Sequence, residues 1–332
     1  MDRLRILTWH VHGSYLAALA HLDHEIVLPV RDDGAAGWGG LGTGRHWPAN
    51  IREVPVADVP DLDLDVVLLQ SRQNLLDDQD GVLGHRHRAV PRIYLEHDPP
   101  REHPTDTRHP VDDPNVLLVH VTHFNRLMWD AGRTPTTVVE HGVDLPEDVT
   151  WTGALARGIC AINDLGIRGR RLGADVFLEA REAVPIDLVG MASESLGGLG
   201  AISPDELPAF EARYRFYFSP VRYTSLPLAV VEAMHLGMPV VALATTEIPL
   251  VLEDGVTGFS HADPSRLVDG MRELLADRAL ATRMGSAARE RARERFGIDR
   301  FVQDWDRILR QVTGRPVATR ARAAVASTGS AP

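Results

Sequence analysis

Short runs rich in β-branched and aromatic residues alternate with stretches of helical periodicity along nearly the whole chain, and no other feature constrains the fold as much. This is the sequence form of parallel α/β layers. The first half offers strands near Leu4–Val11, Glu25–Val30, Val66–Gln70, Arg92–Glu96, Val116–Val121 and Thr137–Glu140. The second offers strands near Ile159–Asn163, Ile186–Gly190, Phe216–Ser219, Val240–Leu243 and a short one at Phe259. Its helices are expected at Ala174–Glu182, Pro204–Tyr214, Pro227–Leu236, Pro264–Leu275 and from Arg278 through Phe296. No repeat of solenoid length interrupts the alternation.

With 332 residues the chain is too long for one ordinary core and suits two domains of about 150 residues each. The pattern lapses once, in the acidic, proline-containing link Asp144 to Trp151 (DLPEDVTW), and the domain boundary belongs there: residues 1–145, then 146–297. The glycine-rich segment Asp32 to Gly44 reads as a long flexible loop. After Gly297, Phe301, Trp305, Ile308 and Leu309 recur at helical spacing, so residues 298–312 must pack on something. The remaining tail, 313–332, has the composition of a disordered segment.

Charge and composition exclude several functions. A net charge of -11 argues against nonspecific nucleic-acid binding, which needs a basic footprint. It does not exclude local contact with an anionic membrane, but nothing in the charge favours peripheral membrane binding. There is no lysine, so all 35 basic residues are arginines, and any phosphate clamp must use the guanidinium fork. The single cysteine, Cys160, allows no internal disulfide and reads as a small buried residue. The apolar window Leu226 to Ala244 contains Glu232, His235, Pro227, Gly237 and Pro239, which fit a buried helix and strand better than a membrane span. The N-terminus has no cleavage-site pattern, and a cytoplasmic protein is expected.

That same window holds the most informative acid. Ser225 can cap a helix with Pro227 in its first turn, and Gly237 ends it. Leu228, Val230, Val231, Met234 and Leu236 cover most of its circumference, so Glu232 is either paired or a ligand-binding group. Amides near Thr224–Leu228, at the positive end of the helix, form a natural phosphate site. An anion at the helix start and a hydroxyl-binding acid about two turns later suit a nucleoside diphosphate with its ribose.

The residues YTSLPLAVVEAMHLGMPVVA followed by IPLVLEDGVTGF resemble the C-terminal signature of the retaining GT-B glycosyltransferases, the "glycosyl transferases group 1" family. Glu232, Ala233, Met234, Gly237, Pro239, Val240, Val241, Pro249, Gly255 and Gly258 fall in register with it. EHGVD (Glu140 to Asp144) resembles the family's interdomain link, with His141 in place of Asn, and DLVGMASE its Leu-Val-Gly strand and loop. WHVHGSY resembles the glycine-bearing loop after strand one, and IYLEHDPP the strand that ends in a cleft histidine. Two departures stand out. Thr224 occupies the position of the family's first glutamate, and the family's phosphate-binding Arg and Lys meet NDLGIRGRRLGAD, where Arg168 and Arg171 are the candidates and Arg170 a bystander.

The resemblance implies two Rossmann-like domains facing a cleft, the N-terminal one for the acceptor and the C-terminal one for the donor, with a last helix crossing back onto the first. It implies transfer of a hexosyl unit from a nucleotide-diphosphate sugar to an acceptor hydroxyl, with retention and without metal or other cofactor, in glycan, polysaccharide or glycoconjugate biosynthesis. Donor binding would fall to Gly13, Thr224, Ser225, Leu226, Leu228 and Glu232, and catalysis to His97, Arg168 and Arg171. Stabilising the departing phosphate matters most in such a step. No pair of carboxylates suits a retaining hydrolase. His97 would orient sugar hydroxyls, with His10 and His12 as weaker candidates. A nucleotide-sugar epimerase on the same fold and a silent sugar-nucleotide-binding module are the alternatives. Asp61, Asp63 and Asp65 read as solvent-facing strand-entry residues rather than metal ligands, and Asp98 to His109 as an acceptor-side loop.

Overall fold

A computed structural model describes residues 2–316 apart from 34, 36 and 43–45. Its N-terminal sheet contains β1 (Arg5–Thr8), β2 (Glu25–Val30), β3 (Ile51–Pro55), β4 (Val66–Leu69), β5 (Arg92–Glu96), β6 (Val116–His120) and β7 (Thr136–Val138). Between them lie α1 (Gly13–Leu19), α2 (Gln79–Val82) and α3 (His123–Met128). The C-terminal sheet contains β8 (Leu155–Ala161), β9 (Ile186–Val189), β10 (Tyr214–Ser219), β11 (Val240–Leu243) and β12 (Gly258–His261). Its helices are α4 (Leu165–Leu172), α5 (Ala174–Ala183), α6 (Leu207–Glu211), α7 (Leu228–Leu236), α8 (Ile248–Val251), α9 (Pro264–Ala276) and α10 (Arg278–Phe296). A final helix, α11 (Ile298–Val312), follows Gly297 directly.

Both sheets are parallel throughout, so each strand needs a crossover, and this is why the chain alternates as it does. The strand order is β3-β2-β1-β4-β5-β6-β7 in the first sheet and β12-β11-β10-β8-β9 in the second. Each order reverses once, between β1 and β4 and between β8 and β10. Open parallel sheets bind ligands at the carboxyl ends of strands beside such reversals. The chain is therefore two Rossmann-like α/β domains. Among the described residues no helix is long and apolar enough to cross a membrane.

The apolar stripe of α11 completes the first domain rather than the second. Phe301, Trp305, Ile308 and Leu309 are buried with Leu4, Ile6, Tyr15 and Leu19 in one core, and the Trp305 Nε1–H donates to the Tyr15 hydroxyl at 3.1 Å. Burying each of those four side chains stabilises the assembly by about 2 kcal/mol. At the crossing itself Gly142 lies so close to the Phe301 ring that a Cβ there would collide with it.

Several local expectations need correction. The strand β3 is missing from the strands expected above: Pro55 as its last residue and the exposed Arg52 and Glu53 hide an edge strand. The helix expected over Pro204–Tyr214 is only Leu207–Glu211, because residues 204–206 form a turn. Within the segment expected to be a long flexible loop, Trp38 is buried edge-on to Trp9 with the Arg31 guanidinium 3.8 Å from its ring centre, while residues 34, 36, 43 and 44 lie outside the described residues. Ser225 does not cap α7: Pro227, in extended conformation, holds the N-cap position, and Ser225 instead accepts the Thr246 hydroxyl on its carbonyl. Of the tail expected to be disordered from 313, Arg315 pairs with Asp65, and the stretch from 317 onward lies outside the described residues.

Candidate active site

On the N-terminal side, β1, β4 and β5 are neighbours in the sheet, and the residues that follow them meet at its carboxyl edge. His97 follows β5 and Gln70 follows β4. The Gln70 amide donates to the Thr8 hydroxyl at 2.8 Å and to the Trp9 carbonyl at 3.0 Å, which fixes its orientation and leaves Oε1 as an acceptor. His97 Nε2 lies 3.0 Å from that Oε1, so Nε2 carries the proton and Nδ1 keeps its lone pair. Desolvation, reinforced by His12 and His141, holds the His97 pKa well below its ordinary value. The ring is a neutral, oriented imidazole.

His12 stands edge-on to His97 with ring centres 4.2 Å apart, and Tyr15 does so at 5.0 Å. Desolvation lowers the His12 pKa against the pull of Asp98. His10 turns the other way, to the Gly40 carbonyl at 2.7 Å and the Trp47 ring, and so fastens the glycine-rich loop. Gly13 begins α1, the helix whose Ser14 and Ala17 face the opposite domain across a cavity.

That cavity, of about 700 Å³, lies against the carboxyl ends of β8 and β9, beside the strand-order reversal. Its walls include Asn163, Gly190, Ser203, Leu228 and Glu232 from the C-terminal domain and Gly142–Asp144 of the interdomain link. The helix α7 starts at Leu228. The Val230 N–H is taken by the Pro227 carbonyl at 3.0 Å, so Leu228 and Ala229, both on the cavity wall, present the helix's leading amides. Glu232 is one turn further along the same wall and is half-buried. Facing it on α6 is Glu211, 2% exposed, whose Oε1 has no hydrogen-bond partner among the described residues. Burial and the Glu232 charge both push the Glu211 carboxyl well above its ordinary pKa.

Arginines gather at the cleft end of this arrangement. Arg168 and Arg171 lie on α4, which kinks at Gly169, and the Arg171 pKa is lowered by desolvation and by the like charges of Arg101 and Arg168. The Arg171 carbonyl accepts the N–H groups of Arg222 and Tyr223, both at 3.1 Å, tying α4 to the turn that precedes α7. Arg170 is turned away and pairs with Asp175, as does Arg222. Arg101, from the N-terminal domain, pairs with Asp98.

Three contacts close the cleft around these groups. The Tyr223 hydroxyl donates to the Pro100 carbonyl at 2.8 Å, Tyr223 packs edge-on to Phe124, and the Phe124 N–H donates to Glu247 at 2.8 Å. Thr224 is half-buried in the turn next to Tyr223, and Ser225 and Leu226 are buried beyond it. His141 is buried beside the Leu226 backbone, its pKa lowered by desolvation to about 4. Of the residues singled out from sequence, Glu232 and Leu228 share the cavity wall, while His97, Arg168 and Arg171 join the His12 and Arg101 group. Thr224, Ser225 and Leu226 form the connection between them and do not line the cavity. Gln70 and Glu211 were missed. Gln70 had a signal, as the polar end of an apolar strand; Glu211 had none.

Comparison with known proteins adds three findings. Residues 192–291 match the family model described as "Glycosyl transferases group 1". The trehalose synthase of Pyrococcus horikoshii is 34% identical over 87 residues, 26% of this chain and 21% of that protein. The chain spans about a fifth of the length of the curated relatives it matches first. Two solved structures share the fold over nearly the whole chain. Sucrose-phosphate synthase from Thermosynechococcus elongatus has a TM-score of 0.70 at 16% identity, covering 94% of this chain and 100% of that one. HepE from Anabaena, in complex with UDP and glucose, has a TM-score of 0.69 at 16% identity, covering 93% and 99%. The architecture they share with this chain is GT-B.

Proposed function

We propose, on the premise that residues 192–291 belong to the group 1 glycosyltransferases and that the whole chain has the GT-B fold, that this protein transfers a sugar from a nucleotide-diphosphate donor to an acceptor hydroxyl. The observation that carries the reading is the cavity wall on which the leading amides of α7 and the Glu232 carboxylate stand one turn apart. Glu232 accepts the ribose hydroxyls, and the diphosphate lies toward Leu228 and Ala229 with Arg168 and Arg171 beyond it. Negative charge that develops on the departing phosphate meets fixed amide dipoles and guanidinium groups. The neutral His97, held through Nε2, offers its Nδ1 lone pair to a sugar hydroxyl and positions the ring. The acceptor enters from the side of the Asp98–Asp113 segment.

The transfer proceeds with retention, the acceptor attacking from the face that the phosphate leaves, without a protein nucleophile and without metal, and it serves glycan or glycoconjugate assembly. Arg168 and Arg171 carry the charge that a metal ion would otherwise neutralise. The test is to incubate the protein with UDP-, GDP- and ADP-sugars and follow release of nucleoside diphosphate, with Glu232→Ala in parallel. Slow release that Glu232→Ala abolishes is expected. Inversion of the donor sugar without release would instead indicate an epimerase, and no binding by calorimetry would overturn the donor site.

A further inference from the structure

The cavity wall carries a deeply buried acid that the donor reading leaves without a task. Glu211, on α6, is 2% exposed, yet its side chain is part of the cavity wall opposite α7. Among the described residues the titratable groups that interact with it are Glu232 from α7, Tyr217 from β10 and Cys160 from β8, and no salt bridge reaches it. The Tyr217 hydroxyl is already committed to the Ala161 carbonyl at 3.2 Å. Glu211 Oε1 has no hydrogen-bond partner among the described residues, which for a buried carboxyl oxygen calls for an explanation.

We infer that Glu211 is a specificity-determining residue of the nucleotide pocket, its carboxyl hydrogen-bonding the nucleoside moiety next to the hydroxyls held by Glu232. The inference rests on the donor-site reading above and extends it to the base-and-sugar end of the ligand. With burial and Glu232 both opposing ionisation, Glu211 keeps its proton. An uncharged carboxyl sets an O–H donor beside a C=O acceptor, the pairing that a ring carbonyl and imino N–H, or a ribose hydroxyl, can answer. Glu232 as a carboxylate can only accept. Together the two acids present both hydrogen-bonding senses to one nucleoside, and an apolar residue at 211 would leave the ligand's polar edge unanswered.

Calorimetric titration with UDP, GDP and ADP, on the full chain, tests this with Glu211→Gln, Glu211→Leu and Glu211→Met. Glu211→Gln keeps one donor and one acceptor and should bind the preferred nucleotide within about threefold of wild type. Glu211→Leu and Glu211→Met should bind it at least about tenfold more weakly while their Tm stays level or rises, since each removes an unanswered buried polar group. A purely structural acid would give the reverse: a lowered Tm and unchanged affinity. If wild type binds a nucleotide and the apolar variant that folds binds it equally well, the inference is overturned while the donor site stands. If wild type binds none of the three, the donor-site reading falls and this inference with it.

Discussion

The carboxylate of Glu247, buried in the C-terminal domain, accepts the backbone N–H of Phe124 in the N-terminal domain at 2.8 Å. The same carboxylate lies 3.5 Å from Arg295, whose guanidinium also grips Glu140 on the interdomain link. One buried acid thus joins three segments, one from each domain and one from the link between them. Glu247→Ala should cost about 1–3 kcal/mol, the penalty for an unanswered amide and a weakened buried ion pair. Small-angle scattering should show a larger radius of gyration for the variant. An unchanged radius with unchanged stability would mean that this contact does not hold the domains together.

Gln70→Leu removes the acceptor that fixes the proton on His97 Nε2. The ring then turns and changes tautomer, so turnover should fall about 10- to 100-fold while nucleotide affinity, set in the other domain, stays within about twofold. A parallel loss of affinity would show that Gln70 acts on the fold and not on His97.

The arginines should separate cleanly. Arg171→Ala removes a partly desolvated guanidinium next to Arg101 and Arg168, and donor affinity or turnover should drop about 10- to 100-fold. Arg170 is occupied by Asp175 at the surface, so Arg170→Ala should stay within about twofold. Nucleotide release assays on the two variants check this, and equal losses would reject the assignment.

Stability should fall on acidification below about pH 6.5. Desolvation depresses the pKa of His97, brings His141 and His235 to about 4, and brings His120 to about 3. The unfolded chain binds protons that the folded chain refuses between those values and 6.5, so each fully shifted histidine costs about 1 kcal/mol at pH 5.5. Glu211, shifted upward, works in the opposite direction above its ordinary value, and Glu211→Gln should steepen the acid loss. Urea titrations at pH 7.5 and 5.5 measure both slopes, and a flat profile would show that these side chains are open to water.

The parallel layers were legible because parallel strands buried on both faces must be apolar runs, and Val66–Leu69 and Val240–Leu243 are such runs. The long helix α10 was legible too, with the bounds Arg278 through Phe296 that the structure has. The edge strand β3 was not, because Arg52 and Glu53 are exposed and give no apolar signal. At the site, Glu232 announced itself as a lone acid in an apolar helix. Glu211 did not, since it sits among Glu206, Arg213 and Arg215 in a stretch whose charges look solvated until the fold turns Glu211 and Arg215 inward. Gln70 was visible as the polar end of an apolar strand, but its bond to His97 exists only because β4 and β5 become neighbours.

The chain passes between its domains at Val143 and again at Gly297, and these two residues are bridged side by side, with the Val143 N–H on the Phe296 carbonyl at 2.9 Å. Two crossings fastened at one point tether the halves twice in the same place. They cannot be drawn apart there without pulling α11 from its seat in the first core. Gly142, with no room for a methyl group against Phe301, lets the two lengths of chain lie that close. The knot of the molecule is thus a single small patch of backbone, and a side chain added there would pry at both domains at once.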